Sequence, residues 1–559
     1  MEGLAVDLEG TGLATNNRSI HLSLNPALCP FLKASLSQEE HTVHMARWLQ
    51  AMASYLDFLL QQQREDTELS ATLTLLELPN LFAFIDCFQA TAKPATTIDR
   101  ATGIYSLLRN LGRPRLLERV ARLRDGAAAA LGESWSHARF EASRSRTDQQ
   151  MVDGQLREAM DGARQLLEHA KTAGEHAYPL AGFDLAMACT LMGRLLLKAG
   201  KAKQSLQLLQ EAGHRFEVFE NKYPGLGAEA MATACLTDQG DCLRILGRYE
   251  DASEAYKKAI RWAKRRGDQR AVAVGKGQLG TLQLLLGCFE DSLLLYQEAR
   301  DTFSLLNEPG TVAGIWNQIG IVQQQSGQPE LAEEAYNEAL SIMVRLGNQA
   351  GQAGTLGQLG NLYLGELQRP GQAVAFYQRS AEIYHSIADI ENEGSSLSNL
   401  ANALRNLQRL EEAREAITKA NQCFGTFGHA AEPWKHWSIL AAIETDAGNP
   451  SAATDARENA TAAYLTYRRN GGENNYGSGR LAQLIQARLS SCDLGESNYI
   501  LQQLAADPRA VHMLPFITAL QAITAGSRES SLAEDPVLDY TEAAEVLLLI
   551  EALESADRR

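Results

Sequence analysis

Apolar and polar residues alternate at helical spacing along most of the chain. In the first 130 residues, VHMARWLQAMASYLDFLLQQQ, LSATLTLLELPNLFAFIDCFQA and RATGIYSLLRNL each place apolar residues three or four positions apart. This period is that of one face of an α-helix, so the pattern predicts at least three helices in this part of the chain. From about residue 135 the helical period continues, but there it is organised into units that are similar to one another.

Four glycines mark these units, because Gly240, Gly280, Gly320 and Gly360 stand 40 residues apart. In the first three units a second glycine follows at seven residues, a small residue at twelve, a tyrosine at sixteen and an alanine at nineteen. For the unit of Gly280 these are Gly287, Ser292, Tyr296 and Ala299. The unit of Gly360 has one inserted residue and continues with Ala373 and Tyr377, and the next unit has Ala401, Ala413 and Ala420. Self-similarity at such a period indicates a solenoid.

Each unit reads as two antiparallel helices. The first glycine and the small residue mark where the helices touch, and the tyrosine ring is expected to pack against that contact. The second glycine ends the first helix, where a left-handed residue is needed. This order resembles the tetratricopeptide repeat, whose usual period of about 34 residues is extended here by about a turn. HEAT and armadillo repeats share the longer period but lack this order of residues.

The repeat extends in weaker form on both sides. Its traces are Gly154, Ala159 and Ala163, then Gly193, Gly200, Ser205 and Ala212, and finally Ala441, Gly448, Ala453 and Ala460. The prediction is an all-α protein, a right-handed α-solenoid of about eight hairpins over residues 135–470. Stacked hairpins bury their apolar faces only against their neighbours, and eight are enough for a continuous core. An N-terminal helical module (36–134) and a C-terminal helical cap (471–559) flank the solenoid.

A second resemblance concerns the ends of the chain. IHLSLNPALCPFL within residues 1–35 resembles the end of the winged-helix module of STAND signalling ATPases, and ELPNL at Glu77–Leu81 resembles the helical segment before their repeats. GHAAEPWKHWSIL and YRRNGGENNYGSGRL are similar to the terminal repeats of such bacterial proteins. The resemblance implies a winged-helix-like remnant at 1–35 and the C-terminal sensor region of such a protein.

The motifs of catalysis are missing. A STAND ATPase needs a phosphate loop, GxxxxGK[ST], and the glycine clusters at Gly10 and Gly477 lack the lysine. The chain has no GxSxG, HExxH or QACRG-like motif. His41 and His44 lie one helical turn apart, and we interpret them as a solvated helix face rather than a metal site. No catalytic residue, metal or cofactor is expected, so the chain is predicted not to be an enzyme.

Composition restricts the classes of partner and the cellular location that can be expected. The 68 acidic residues outnumber the 52 basic ones and give a net charge of −16, which argues against a general nucleic-acid binder. Two basic runs, Lys257–Arg266 and Arg113–Arg124, are interpreted as solvated helix faces. Eight cysteines without a CxxC pair indicate reduced thiols. The N-terminus is too weakly apolar for a signal peptide, and LTLLELPNLFAFI, with its glutamate and proline, is too short to span a bilayer. A cytoplasmic protein without a membrane partner is expected.

The candidate site is a groove lined by the first helices of the repeats. Two residues before each first position stand Asp238, Gln278, Gln318, Gln358 and Asn399, and one residue after it stand Asp241, Thr281, Ile321, Asn361 and Asn402. An amide side chain donates and accepts hydrogen bonds, so the first row can hold a peptide backbone of any sequence. The 40-residue repeats of kinesin light chain are similar in using Asn at the matching position. Asn317, Arg244 and Arg405 complete the candidate ligand-binding residues, and the two arginines would add charge selectivity.

These features predict a non-enzymatic scaffold or sensor that binds a protein or peptide in the concave groove, in a bacterial signalling or defence system. The alternative is a regulatory subunit that clamps a separately encoded effector enzyme, such as a caspase-like protease. Besides the protein or peptide ligand, a separate effector enzyme or a STAND ATPase is a candidate partner. Trp434, Trp437, Tyr464 and Tyr467 near the terminal repeats are interpreted as packing residues rather than a pocket.

Overall fold

The computed structural model describes residues 7–8, 10–11, 13–17, 21–24, 34–65, 67–91, 93–108, 114–131, 135–152, 155–424, 433–470, 472, 474, 477–490, 494–535 and 537–557. Gly154 of the predicted repeat and the segments 25–33 and 425–432 of the predicted STAND resemblance lie outside these residues. The chain divides into two compact units, Met1–Ser134 and Trp135–Arg559.

Among its described residues, the first unit contains a short β-hairpin and four long helices. Strands β1 (Ala14–Asn17) and β2 (His21–Leu24) pair antiparallel, with Ala14 opposite Leu24. The helices are α1 (Gln38–Glu65), α2 (Thr67–Thr91), α3 (Pro94–Leu108) and α4 (Pro114–Ala129). Their apolar faces meet in one core, which includes Leu56, Leu59, Phe84, Ile104 and Leu108. The hairpin is the only β-structure among the described residues.

Helix α2 carries an unusually apolar segment. By length and composition, Leu69–Cys87 is able to cross a membrane, with a mean hydropathy of 1.2, and a third of the segment is buried within the structure. The prediction that this stretch is too short was wrong, because the helix continues through both Glu77 and Pro79. Among the described residues, no other helix meets the same criterion. The buried residues of α2 belong to the core of the unit, so the helix has a structural role there.

The second unit contains eight consecutive helical hairpins among its described residues. Their helices are α5 (His137–Val152) and α6 (Leu156–Ala173), α7 (Ala181–Lys198) and α8 (Ala202–Lys222), α9 (Ala228–Ile245) and α10 (Tyr249–Arg265), α11 (Gln269–Leu285) and α12 (Phe289–Leu305), α13 (Pro309–Gln325) and α14 (Pro329–Arg345), α15 (Gln349–Gly365) and α16 (Pro370–Ser386), α17 (Ile390–Asn406) and α18 (Leu410–Phe424), and α19 (Pro433–Asp446) and α20 (Pro450–Arg469). The structure is thus an all-α solenoid, as predicted.

Four further helices follow the hairpins. They are α21 (Gly477–Ser490), α22 (Leu494–Ala506), α23 (Leu514–Thr524) and α24 (Tyr540–Asp557). Phe516, Ile517, Leu520 and Val546 lie in their shared core. Helix α24 also packs on α20, and its Ala544 joins Trp434 and Tyr464 in a mainly aromatic cluster. These helices therefore cover the last hairpin.

The eight helices from α10 to α17 have the same length, 17 residues each. Each first helix ends at a left-handed residue, and φ is 72° at Gly247, 74° at Gly287 and 75° at Gly327. The backbone N–H of Arg248 then donates to the carbonyl of Leu243 at 2.9 Å, which satisfies one of the last carbonyls of the helix. The predicted role of the second glycine is therefore confirmed.

A buried tyrosine lies against the first glycine of each unit. Tyr256, Tyr296, Tyr336 and Tyr377 are at most 2% exposed. A Cβ atom on Gly240, Gly320 or Gly360 would approach the tyrosine ring of its own unit to between 2.4 and 2.6 Å. The same atom on Gly280 would lie 3.4 Å from Tyr296. The glycine is thus required by the ring itself, which fills the space between the two helices.

The small residue twelve positions on is equally buried. Ala252, Ala332 and Ala373 have no exposed surface. Where this residue is serine, its hydroxyl donates to the carbonyl of the first glycine, from Ser292 to Gly280 at 2.8 Å and from Ser205 to Gly193 at 2.6 Å. The close contact predicted between the two helices is therefore present.

The first helices of neighbouring hairpins also contact one another, as α9 contacts α11 and α13 contacts α15, while each second helix packs between two first helices. First helices consequently lie side by side from α9 to α15. We call the surface of α9, α11, α13, α15 and α17 that carries the two predicted rows the first-helix face.

Candidate functional site

The residues one position after the first glycine are held by the buried tyrosines. The hydroxyl of Tyr256 donates to Oδ1 of Asp241 at 2.7 Å, and the hydroxyl of Tyr377 donates to Oδ1 of Asn361 at 2.6 Å. The hydroxyls of Tyr296 and Thr281 lie 2.8 Å apart. A buried phenol needs such a partner, because an unpaired hydroxyl in the core costs free energy. This row therefore has a structural role as well as the proposed ligand-binding one.

In the repeat with Ile321 at this position, the buried tyrosine hydroxyl also needs a hydrogen-bond acceptor. Isoleucine cannot accept a hydrogen bond, and the hydroxyl of Tyr336 donates instead to Oε1 of Gln324 at 3.1 Å. Gln324 stands one helical turn further along α13. The sequence reasoning missed Gln324, and the only signal for it was the apolar residue at the preceding position of the row.

The row two positions before the first glycine is partly engaged. Asp238 accepts from Nε of Arg194, on the preceding first helix, at 2.7 Å. The hydroxyl of Tyr296 reaches Oε1 of Gln318 at 3.4 Å, and Nδ2 of Asn361 reaches Oε1 of Gln358 at 3.4 Å. Within the described part of the chain, the side chains of Gln278 and Asn399 make no hydrogen bond. The amides of this row consequently keep donor groups for a ligand.

Other predicted residues bind across neighbouring repeats. Nδ2 of Asn317 donates to Oγ1 of Thr355 at 3.0 Å, which links α13 to α15. Arg405 on α17 pairs with Asp446 on α19 at 2.5 Å. Arg244 lies 4.0 Å from Asp241 on its own helix. Asn402, beside Arg405, is half-buried and makes no side-chain hydrogen bond within the described part of the chain.

The electrostatics of this face follow from burial. Desolvation raises the pKa of Asp238 above its ordinary value, although the Arg194 guanidinium opposes the shift. Desolvation also raises the pKa of Asp241, against the opposing hydrogen bond from Tyr256. The pKa values of all four repeat tyrosines are raised by the same cause. The tyrosines are thus neutral hydrogen-bond donors at neutral pH.

Charge is absent from the middle of the first-helix face. Neither α13 nor α15 contains an acidic or basic residue. On α11, Lys276 pairs with Glu298 at 2.9 Å. The ion pairs between first helices, Arg194–Asp238 and Arg405–Asp446, lie in the flanking repeats. The face is therefore uncharged in its centre and carries charged pairs towards both sides.

One group of side chains has the spacing of a metal site. The possible ligand atoms of His137, Glu141 and Asp184 lie within 4.8 Å of one another. Arg144 occupies both carboxylate oxygens of Glu141, at 3.0 and 2.8 Å. Asp184 accepts from the hydroxyl of Tyr178 at 2.8 Å and lies 2.9 Å from the His137 ring. Both carboxylates of the group are thus already engaged, Glu141 by Arg144 and Asp184 by Tyr178 and His137.

The aromatic residues of the last hairpin pack together as predicted, but the prediction that they form no pocket was wrong. The ring of Trp434 lies 5.4 Å from that of Tyr464 and 4.9 Å from that of Tyr467. They also line a pocket of about 440 Å³. Asp539 and Glu542 beside this pocket cap the start of α24, where Oδ1 of Asp539 accepts from the backbone N–H of Glu542 at 2.8 Å.

The sequence comparison identifies the repeats. Residues 234–266, 311–386 and 394–420 match models of the tetratricopeptide repeat. The matched segments cover helices of four of the five hairpins whose first helices form the candidate site. The chain therefore contains tetratricopeptide repeats, as its glycine and tyrosine pattern predicted.

The chain is also similar to several solved structures. BtubC (BKLC) from P. vanneervenii is 22% identical over 42% of this chain and 92% of its own, with a TM-score of 0.35. A STAND protein with a tetratricopeptide repeat sensor, PH0952 from Pyrococcus horikoshii, is 13% identical over 84% of this chain, with a TM-score of 0.44. The match spans 59% of the length of the Pyrococcus protein. A Rap protein complexed with competence and sporulation factor is 12% identical over 68% of this chain and 99% of its own, with a TM-score of 0.45.

Proposed function

We propose that this protein binds a peptide or a segment of another protein on the first-helix face and that it does so without enzymatic activity. The observation that carries the proposal is the row of amides Gln278, Gln318, Gln358 and Asn399, which follows this face from one repeat to the next. Each amide donates and accepts hydrogen bonds. Such a row suits a polypeptide backbone, which presents both kinds of group at regular intervals.

The face is held in place before any ligand arrives. The tyrosine hydroxyls bind Asp241, Thr281 and Asn361 from beneath, and Tyr296 also contacts Gln318 in the next repeat. A side chain that is already ordered loses less conformational entropy on binding. The buried tyrosines therefore support recognition by the polar residues above them.

Two glycines lie directly beside the amides. Gly277 precedes Gln278 and Gly357 precedes Gln358. A Cβ atom on Gly277 would meet nothing within 4 Å, and one on Gly357 would meet only Oγ of Ser380 at 4.0 Å. Glycine in a helix interior costs about 1 kcal/mol relative to alanine, so packing within this chain does not account for these residues. Their absence of a side chain leaves room for the backbone of a ligand to come close.

The charge distribution defines the ligand further. Because α13 and α15 carry no charged residue, the part of the ligand that lies on them is expected to be uncharged. The flanking Arg244 and Arg405 would contact charged groups further along the ligand. Such a protein would act as the sensor or scaffold component of a cytoplasmic signalling or defence system.

Affinity capture with matched variants tests the proposal. The wild-type chain, Gln318→Ala with Gln358→Ala, and Gln297→Ala with Gln378→Ala would be used to capture partners from a lysate of the source cell. Gln297 and Gln378 are exposed on the second helices α12 and α16, so the two double variants remove the same chemistry from different surfaces. The partner segment found by mass spectrometry would then be titrated into all three purified proteins.

We expect the first double variant to lose about tenfold in affinity, because each neutral hydrogen bond contributes about 0.5–1.5 kcal/mol. The second double variant should bind like the wild type. If the variant on the second helices loses binding and the variant on the first helices does not, the first-helix face is not the site.

A further inference from the structure

Helix α10 carries a basic surface that the proposed ligand-binding face does not use. Lys258, Arg261, Lys264 and Arg265 lie on the side of α10 away from its buried residues, and we call these four residues the basic face of α10. The buried side of the same helix includes Tyr256, Ala259 and Ala263. The four cations fall within two turns, a length of about 10 Å at 1.5 Å per residue.

None of these four cations forms an ion pair within the described part of the chain. Most neighbouring charges do, since Arg248 pairs with Asp251 at 2.7 Å and Arg270 pairs with Glu308 at 2.7 Å. On α10 itself, Glu254 lies one turn before Lys258 and pairs with Lys257 at 3.4 Å. Glu298 pairs with Lys276 at 2.9 Å and Asp301 with Arg300 at 2.7 Å on the following hairpin, and Glu211 pairs with Arg215 at 2.8 Å on the preceding one.

The other repeats show that the fold does not require this charge. The positions of Lys258 and Arg261 are taken by Glu298 and Asp301 in α12, and by Glu338 and Ser341 in α14. Those helices have the same length and pack in the same way. Cations near a helix C-terminus are favoured by the helix dipole, but α12 has Ser304 and Leu305 where α10 has Lys264 and Arg265. The basic face is therefore a property of one repeat and not of the repeat pattern.

A tryptophan orders two of these side chains. Nζ of Lys258 lies 4.8 Å from the centre of the Trp262 ring, and Cζ of Arg265 lies 5.8 Å from it. A cation over an aromatic face is attracted by the ring quadrupole. The equivalents of Trp262 in the next two repeats are Thr302 and Ile342. The ring thus appears only where the cations do, and it reduces the entropy that they lose on binding.

We propose that the basic face of α10 is a docking site for a short acidic segment of a partner protein. Four unpaired cations attract carboxylates that are spaced along an extended or helical segment. A nucleic acid fits less well, because its charge is continuous and the equivalent positions on the following second helix, α12, hold Glu298 and Asp301. The net charge of −16 also opposes the approach of a long polyanion. The site lies on a second helix and is independent of the first-helix face.

The test uses the full chain and fluorescence anisotropy. The probes are a labelled peptide of about twelve Asp and Glu residues, its Asn and Gln counterpart, and a single-stranded DNA of about twenty nucleotides. The variant Lys258→Glu with Arg261→Glu and Arg265→Glu is compared with Arg345→Glu, Arg379→Glu and Lys419→Glu. The control residues are exposed cations of other second helices, and they change the net charge by the same amount. Circular dichroism verifies that both triple variants are folded, and the corresponding Gln triple replaces the first if it does not fold.

We expect the acidic peptide to bind the wild type and the control variant alike, and to bind the α10 variant at least about tenfold more weakly. Binding should weaken as salt is added, because the contacts are exposed ion pairs. Tighter binding of the DNA than of the acidic peptide would identify a nucleic-acid surface instead. Equal loss in both triple variants would mean general electrostatic attraction, and no binding of the acidic peptide to the wild type would overturn the proposal outright.

Discussion

The hydroxyl of Tyr377 donates a hydrogen bond of 2.6 Å to Oδ1 of Asn361, and the ring of the same tyrosine lies 2.6 Å from where a Cβ atom of Gly360 would stand. One buried side chain thus decides two neighbouring positions of α15. It excludes any side chain at the first position and orients the polar side chain at the next. Through this arrangement the core of each repeat determines the geometry of the first-helix face.

Replacing the first glycine of a repeat by alanine should lower the free energy of unfolding more, the closer the new Cβ atom lies to the tyrosine ring of that repeat. Gly360→Ala is expected to destabilise the protein by about 1–3 kcal/mol, because the new methyl group would overlap the ring of Tyr377. Gly280→Ala is the matched control, since its Cβ would lie 3.4 Å from the Tyr296 ring and alanine favours the helix. Chemical denaturation followed by circular dichroism would measure both. Equal losses in stability would show that the distance to the ring is not what matters.

The loops that lead from a second helix to the next first helix allow two opposite substitutions to be compared. Ala388 is left-handed with φ of 57°, and Gly347 is left-handed with φ of 64° at the equivalent position two helices earlier. We expect Ala388→Gly to stabilise the protein by about 0.5–1 kcal/mol and Gly347→Ala to destabilise it by a similar amount, because only glycine adopts this conformation without strain. Changes of melting temperature in the same direction for both variants would contradict the explanation.

Asp241 should make stability depend on pH. Burial raises its pKa in the folded protein above the unfolded value, so the folded state holds its proton to higher pH than the unfolded state does. The contribution of Asp241 to stability is therefore most favourable at acidic pH and declines as the pH rises through the unfolded and then the folded pKa. Asn361 occupies the position equivalent to Asp241 in the repeat of Gly360. The variant Asp241→Asn therefore introduces a residue that this position already accepts, keeps an acceptor for the hydroxyl of Tyr256 and avoids burying a charge.

We expect Asp241→Asn to raise the melting temperature at pH 7 and to lose this advantage as the pH is lowered towards the ordinary pKa of an aspartate. Thermal unfolding of the variant and the wild type across this range would measure the difference. A difference that does not change with pH would show that the buried charge is not its cause.

Gly277→Ala separates stability from binding. The alanine should stabilise α11 by about 0.5–1 kcal/mol, since its methyl group enters open space and glycine is a poor helix former. It should also weaken binding of the partner segment, if the ligand backbone lies close to this helix. Gly371→Ala on α16 is the control, because a Cβ there also meets nothing within 4 Å. Unchanged affinity in Gly277→Ala would place the ligand elsewhere on the face.

The chain should neither bind nor hydrolyse ATP, because it lacks the phosphate loop with its lysine and hydroxyl. Titration with labelled ATP and a phosphate-release measurement on the purified chain would check this. ATP turnover that co-purifies with the protein and survives changes in the segment Gly477–Gly479 would refute a non-enzymatic role.

Much of the fold could be predicted because repeat packing is local in sequence. The glycine, the small residue and the tyrosine of one unit lie within about 20 residues, and each hairpin contacts chiefly its neighbours. Spacing alone therefore identified the two helices, the left-handed residue at Gly287 and the buried ring of Tyr296. The left-handed residue at Gln368 could not be recognised in the same way, because glutamine has no intrinsic preference for that conformation.

Which polar side chains have a hydrogen-bond or ion-pair partner was decided by the tertiary structure. The sequence placed Asp238 and Gln278 in one row, but only packing brings Arg194 from another repeat onto Asp238. Packing also leaves the side chain of Gln278 without a hydrogen bond to any residue that the structure describes. The same holds for α10, where the sequence showed a basic run. Among the described residues, Lys257 pairs with Glu254, whereas the four cations of the basic face of α10 have no acidic partner. Hydrogen bonds and ion pairs need atoms within about 3 Å of one another. That precision depends on how neighbouring helices are placed, whereas the helices themselves follow from the period of the sequence.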